Sequence, residues 1–275
     1  MNEIISYFEH IPSAHRSLIL VAGITLFWWL EKAFPMFQFQ YHKWQHAGIN
    51  FFFTFTTIVI NFILAFLLLS TSTWTEKHHF GILNWLPEMN PIITCIIGIL
   101  LLDFIGAYLI HYIEHKVPFL WRFHLIHHTD TWIDTTSANR HHPGESVLRF
   151  AFTCAGVWIV GSPMWLAFMY QTLSLVATQF SHANIRLPKK LDKVLCLFIV
   201  TPDMHKMHHH YLLPYTDSNY GNIFSLWDRT FGTYKSLSTD KIIFGIDTYR
   251  EAREHNSVAS LLKIPFGKYR NSTIK

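Results

Sequence analysis

The chain has 275 residues, of which 50% are hydrophobic, 16% aromatic and only 15% charged, with a formal charge of +4. These proportions exclude disordered, collagen-like and coiled-coil chains and argue against a soluble enzyme, in which about a quarter of residues are charged. Histidine is the second anomaly: there are 19 His against 18 Asp plus Glu, and twelve of them lie between His111 and His210.

In chain order, the N-terminus carries Glu3 and Glu9 and no basic cluster. No small-residue cleavage site follows the first apolar run, so residues 17–34 are expected to be a retained span, with Trp28 and Trp29 at an interface. Residues 49–70 are 22 long without a charge and form a clear second span. Residues 91–110 form a third, interrupted only by Asp103. Residues 150–180 are also uncharged, but Gly161-Ser162-Pro163 breaks them. One helix of that length would measure about 46 Å against a hydrocarbon core of roughly 30 Å. Two legs of about 14 and 17 residues, each about 20–25 Å if helical, are expected instead: a hairpin of short or tilted helices that enters and leaves on one side. A polar, basic tail begins near residue 181. Cys95, Cys154 and Cys196 sit in apolar stretches without paired spacing and read as small buried hydrophobes rather than a disulfide or thiolate zinc framework.

The fold class expected is therefore all-α: a polytopic membrane bundle of three spans plus a short helical hairpin, with a His-rich helical cap. With the hairpin, segments 31–48, 111–149 and 181–275 share one side, and they hold every Lys and Arg except Arg16 and Lys77. The positive-inside rule makes that side cytoplasmic. The regions expected are 1–90 (N-terminal transmembrane), 91–235 (catalytic) and 236–275 (basic cytoplasmic tail). Attraction to anionic headgroups explains the basic tail, and no nucleic-acid partner is expected.

All the clustered His then face one compartment. His111 and His115 are i and i+4. His124, His127 and His128 are i, i+3 and i+4, and His205, His208 and His209 repeat that spacing. Each set shares a helix face. His182 stands alone just after the hairpin. Neutral imidazole is a common metal ligand, and so dense a cluster is costly to bury unpartnered. Nine His can give four or five ligands to each of two metals, and nitrogen-rich ligation without thiolates points to two irons that activate dioxygen. His10, His15, His42, His46, His78, His79 and His255 lie outside the boxes and are expected at the surface or interface, and His210 is left out of the ligand set.

From about Asp103 to Tyr234 the chain resembles the fatty acid hydroxylase/sterol desaturase superfamily of integral-membrane di-iron oxygenases, and most of all the branch holding alkylglycerol monooxygenase and bacterial sterol desaturase family proteins. The resemblance rests on DFIGAYLIHYIEH, LWRFHLIHHTD, TTSANRHHPGE, SHANIRLP, TPDMHKMHHH and NYGNIFSLWDRTFGTY. It implies His111, His115, His124, His127, His128, His182, His205, His208 and His209 as iron ligands. Fatty acid 2-hydroxylases add a second His four residues after the one matching His182, where this chain has Arg186, and His142 is a possible extra ligand. Asp103, an intramembrane carboxylate eight residues before His111, is expected to orient a ligand imidazole, with Glu114, Asn219 and Asp228 as weaker candidates.

The activity implied is hydroxylation of a lipid C–H bond using dioxygen, with desaturation as the sister outcome. No nucleotide or flavin motif is present, so a separate reductase, ferredoxin or pterin must supply electrons. Two other classes are weighed. H-x-x-E-H at 111–115 also fits a membrane zinc metalloprotease with Glu114 as base, but leaves at least seven clustered His unexplained. A metal transporter needs ionisable residues within the spans, and only Asp103 is clearly one. The location expected is the bacterial inner membrane rather than the endoplasmic reticulum.

Overall fold

The computed structural model describes residues 1–268 and 270. Among them the chain is helical, with isolated backbone bridges and no strand. A short α1 (Asn2–Glu9) leads into α2 (Ser13–Ala33), then α3 (Lys43–Lys77), a single turn α4 (Ile82–Trp85) and α5 (Pro91–Asp103). A π-helical segment, Phe104–Leu109, joins α5 to α6 (Ile110–Lys116). The segments Ser13–Ala33, Lys43–Trp85 and Pro91–Lys116 are long and apolar enough to cross a membrane. The second greatly exceeds the expected 22 residues: α3 alone has 35, about 52 Å. No Pro or Gly breaks it after Gly48, so the helix continues past the apolar stretch at both ends.

The 150–180 stretch is a helical hairpin, α8 (Pro143–Val160) and α9 (Met164–His182). Gly161 ends α8 in the left-handed region at φ 68, and Pro163 starts α9. The approach there is close: a Cβ on Gly81 would lie 2.3 Å from the Gly161 amide nitrogen. The legs are 18 and 19 residues, longer than the uncharged stretch suggests. α8 begins seven residues before residue 150 because Glu145 and Arg149 pair inside the protein, which lets charges enter the helix.

α7 (Pro118–His128) follows α6 at once, and a 3₁₀ turn, Thr135–Asn139, precedes α8. After α9 come α10 (Lys189–Leu195), α11 (Pro202–His208), α12 (Leu226–Thr230), α13 (Ala252–His255) and α14 (Val258–Lys263). The apolar core has two main parts. One joins Leu68 to Leu102, Val157, Val160 and Leu166; the other joins Ile49 and Phe53 to Leu125, Ile126, Ile246 and Leu261. The second draws on 1–90, 91–235 and 236–275 alike, so the tail packs back onto the helices rather than hanging free. A buried polar web reinforces this junction. Arg140 donates to Ile126 O, Asn50 Oδ1, Thr129 Oγ1 and His255 O, and His46 Nε2 lies 2.9 Å from both Asp130 oxygens. His46 and His255 are thus buried, contrary to the surface positions expected, because each meets a partner remote in sequence. His10, His15, His42, His78 and His79 are exposed.

Candidate metal centre

The predicted ligands come from four elements that converge at one end of the bundle: α6, α7, the end of α9, and α11 with the residue after it. The i, i+3, i+4 spacing places His124, His127 and His128 toward the centre on α7, and Pro118 and Pro202 start α7 and α11 at their first turns. All nine are buried except His115, which is half-buried. They divide into two groups. One is His111, His115, His124, His128 and His208; the other is His127, His182, His205 and His209. Within each group the candidate ligand atoms lie within 4.8 Å of one another.

In the second group the Nε2 atoms form a chain, His127 to His182 at 3.0 Å, His182 to His205 at 3.0 Å and His205 to His209 at 3.1 Å. In the first group His128 and His124 approach at 3.2 Å. Imidazole nitrogens held about 2.0–2.1 Å from one metal ion stand about 2.9–3.4 Å apart at octahedral or tetrahedral angles. Seven nitrogens of the nine rings are buried without any partner: Nε2 of His111, His115 and His208, and Nδ1 of His127, His128, His205 and His209. A metal held at Nε2 would satisfy the first three, each of which costs about 1–3 kcal/mol when left bare. The donor set therefore fits two metal ions. Burial, helped by neighbouring imidazoles, holds His127, His128, His205 and His209 well below the usual His range, and burial pushes His124 down to about 4 and His208 to about 3. All are neutral at physiological pH, the form that binds metal.

Several rings are oriented through Nδ1. His111 donates to Tyr220 O at 2.8 Å, His208 to Ser218 O at 2.6 Å and His182 to Thr178 O at 2.8 Å. Each bond turns Nε2 toward the cluster. His124 Nδ1 instead meets a carboxylate, Glu145 Oε1, at 2.7 Å. The same oxygen lies 2.8 Å from His141 Nδ1 and accepts from Arg149 Nε at 3.0 Å.

Residues 95–233 match the family model for fatty acid hydroxylase. The chain belongs to that family. Among its curated relatives are ornithine lipid hydroxylase OlsE of Rhizobium tropici, 25% identical over 58% of this chain and 49% of that protein, and alkylglycerol monooxygenase. The zebrafish (Danio rerio) and human (Homo sapiens) forms of the latter are 32% and 29% identical, each over 51% of this chain and 30% of the relative. The chain thus spans about half the length of the first of these relatives and less of the others. No solved structure matches it.

The expected orienting residues fare differently. Asp103 touches no ligand. It shares a face with His111, but eight residues of helix are about 12 Å of rise, beyond a carboxylate's reach. It accepts instead from Ile223 N, Phe224 N and Trp227 Nε1 at 3.2, 3.2 and 3.0 Å, clamping the tail to α5. Asp228 accepts from Tyr220 N and Gly221 N, both at 2.8 Å, and so braces the loop whose Tyr220 carbonyl holds His111. Asn219, at φ 55, bonds Met204 O and both backbone groups of Lys235 across its amide. Glu114 lies 3.7 Å from His124 Nδ1 and is paired chiefly with Arg149. His142 stands in neither His group: it is the N-cap of α8, its Nδ1 accepting from Gly144 N at 2.9 Å. Its neighbour His141 stacks on His127 with ring centroids 4.8 Å apart. His210 bonds Ile243 N through Nδ1.

Sequence reasoning missed Glu145, His141, Arg149 and Lys206. The i, i+4 spacing of His141 and Glu145 and of Glu145 and Arg149 is visible in the sequence, but nothing there says that Glu145 turns toward α7. Lys206 is fully buried and donates to His182 O, with burial pushing its ammonium down to about 7 against the attraction of Glu31, Asp134 and Asp130.

A cavity of about 1060 Å³ adjoins both groups, lined by His111 and His124 of one and His127, His182 and His205 of the other. It continues between α2, α3, α8 and α9 to Arg16 and Glu76 at the far ends of their helices.

Proposed function

We propose that this chain is a membrane di-iron oxygenase that hydroxylates a lipid C–H bond. The observation that carries the reading is the division of nine buried, neutral imidazoles into two adjoining groups on the wall of a membrane-height cavity. His111, His115, His124, His128 and His208 would hold one iron, and His127, His182, His205 and His209 the other. With iron bound, the chemistry supplied is reduction of dioxygen by external electrons, one oxygen atom entering a C–H bond and the other leaving as water.

The chain's own residues position and protect. Tyr220 O, Ser218 O, Thr178 O and Glu145 aim the rings of His111, His208, His182 and His124. Phe62 and Phe66 line the cavity and are also exposed on the outer face of α3, so an acyl or alkyl chain can enter sideways from the bilayer. The apolar walls keep water from the reacting carbon. The names of the relatives, an ornithine lipid hydroxylase and alkylglycerol monooxygenases, support a lipid substrate. Electrons come from a separate reductase, ferredoxin or pterin. The His groups lie on the cytoplasmic face of a multi-pass protein, a reading that the Lys and Arg bias supports, and the membrane proposed is a bacterial inner membrane rather than the endoplasmic reticulum.

Metal content of detergent-purified protein from iron-replete cells tests this, alongside His127→Ala and His208→Ala variants. About two irons per chain are expected for two groups of four to five ligands, each variant losing one, together with dioxygen-dependent gain of a hydroxyl on a membrane lipid. A single zinc, or metal indifferent to both variants, would overturn the reading.

A further inference from the structure

We propose that the tail between Lys189 and Phe231 is embedded in the bilayer, its exposed apolar side chains facing the acyl chains of the leaflet on the His side. The inference rests on the membrane-spanning helices and is independent of the oxygenase reading.

The third span fixes the depth. Its apolar run, residues 91–110, rises about 30 Å, the thickness of the hydrocarbon core. The midplane therefore falls near Leu101, and Asp103 lies only about 4 Å beyond it. Yet Asp103 is where the tail is fastened, through Ile223 N, Phe224 N and Trp227 Nε1. Ile199 is bridged to Phe224, and Phe231 stacks on Phe104 and Tyr108 with ring centroids 5.4 and 5.5 Å apart. α3 agrees: Leu68, inside the charge-free run 49–70, joins the core cluster of Leu102 and Ile105. Both stretches of tail thus lie against α5 and the π-helical segment at hydrocarbon height.

The outer surface of this tail suits lipid. Leu191, Val194, Leu197, Phe198, Leu226 and Phe231 are 44–66% exposed, a patch that a lid in water would present at a cost. Residues 194–202 (VLCLFIVTP) and 220–227 (YGNIFSLW) carry no charge. The patch continues the lipid-facing side of α5, where Ile92, Ile93 and Ile96 are also exposed. On α10, Lys189 and Lys193 are i and i+4, and Leu191 and Val194 are turned about 100° or more from them. Lysines beside such a face reach the headgroups while the apolar side chains enter the leaflet.

The backbone meets the condition that hydrocarbon imposes. Irregular chain at this depth must find its hydrogen bonds within the protein. Val200 N donates to Ile223 O at 3.0 Å and Ser225 N to Phe198 O at 3.2 Å. Cys196 O accepts from Ser225 Oγ and Arg229 Nη2 at 2.7 and 2.8 Å. The Asp103 carboxylate satisfies the two remaining amides of the Ile223–Phe224 turn, which gives this intramembrane acid its work. Between the tail, α2, α5 and α9 lies a cavity of about 510 Å³, walled by Phe27, Ile96, Leu173, Phe180, Ile199 and Phe224. Such walls suit an acyl chain and offer water no partner.

The test places the full chain in phosphatidylcholine nanodiscs, which leave both membrane faces open, with single substitutions Phe198→Cys and Phe231→Cys. Ile96→Cys is the lipid-facing reference and Ser236→Cys, exposed beside Lys235, the aqueous one. A charged maleimide should label Phe198→Cys and Phe231→Cys as slowly as Ile96→Cys, at least about tenfold slower than Ser236→Cys, because a thiol in hydrocarbon forms little thiolate. All four should react alike in sodium dodecyl sulfate, and the unsubstituted chain gives the background of Cys95, Cys154 and Cys196. Either tail position reacting at the aqueous rate would overturn the proposal. The unsubstituted chain supplies a second reading that no misfolded variant can obscure. Phosphatidylcholine with a diazirine on its acyl chain should crosslink to peptides covering 190–201 and 221–231. Crosslinks confined to the three spans and the hairpin would show that the tail lies in water or against protein, and the proposal would fall.

Discussion

Glu145→Ala tests how the first His group is held. One oxygen of Glu145 meets His124 Nδ1 at 2.7 Å, His141 Nδ1 at 2.8 Å and Arg149 Nε at 3.0 Å, all in a buried setting. Arg149 keeps Glu114 when Glu145 is lost. His141 is half-buried, so solvent can replace the bond it loses. His124, fully buried, does not, so its imidazole loses the bond that turns Nε2 toward His128. One charge-assisted bond in a buried site contributes about 1.5–3 kcal/mol, which is roughly 10–100-fold in affinity and is the range seen when a metal ligand loses its outer partner. The weakening should be confined to one of two metals, because His127, His182, His205 and His209 have no contact with Glu145. Chelator titration with elemental analysis should show one metal leaving at about 10–100-fold lower chelator and the other unchanged. Asp103→Asn is the control: its carboxylate serves only Ile223, Phe224 and Trp227, so both metals should stay. If Glu145→Ala retained both metals at native affinity, or Asp103→Asn lost one, the orienting role drawn from these distances would be wrong.

Other outcomes follow from single contacts. Arg140→Met removes four donors from a buried web that joins α3, α7 and α13, and should lower stability by about 3–5 kcal/mol, read as a fall in melting temperature in detergent. His142→Asn should preserve metal content, since Asn also caps a helix, whereas a lost metal would make His142 a ligand after all. The metal-free protein should lose stability as pH falls. His124 and His208 titrate near 4 and 3 when folded and near 6.5 when unfolded, so the unfolded chain binds more protons throughout that interval. Denaturant midpoints measured from pH 7 to 5 should decline steadily, and a flat profile would mean that these rings are not buried neutral. Gly161→Val should destabilise the hairpin by more than the ~1–2 kcal/mol of φ strain alone, because a Cβ there would also lie 2.5 Å from the backbone oxygen of Phe80.

Three spans, the hairpin and the nine histidines were legible because each has a periodic or compositional signature. An apolar run of bilayer length needs no partner to be recognised, and i, i+3, i+4 spacing shows which imidazoles share a face. What stayed hidden depends on contacts remote in sequence. His46 looked like a surface residue until Asp130, 84 positions away, was placed against it. Asp103 illustrates the opposite error: a shared helix face was taken for contact, and rise along the axis forbids it. Glu145 lies in a His-Pro-Gly-Glu run that drew attention to His142, yet the helix cap took His142 and left Glu145 to face α7. The partition of the nine rings into five and four was likewise invisible. His127 and His128 are adjacent in sequence but about 100° apart on the helix, which sends them to different groups.

That adjacency has a consequence for how the site forms. α7 supplies both groups and α11 with His209 supplies both again, so neither group can assemble without the same two short elements. α11 has only seven residues, too few to be stable alone, and it is held by Asn219 to the loop that Asp228 braces. Nε2 of His111, His115 and His208 is buried without a partner in each ring, and bare groups of this kind cost about 1–3 kcal/mol each, a large share of the stability of an ordinary fold. A metal held at these Nε2 atoms would remove that cost in the first group, and metal in both groups would tie α11 to α6, α7 and α9. The tail from Thr201 to Tyr234 is therefore more than a cover over the site. With metal in both groups, its order and their occupancy would be one equilibrium, in which each metal would stabilise the fold that binds the other.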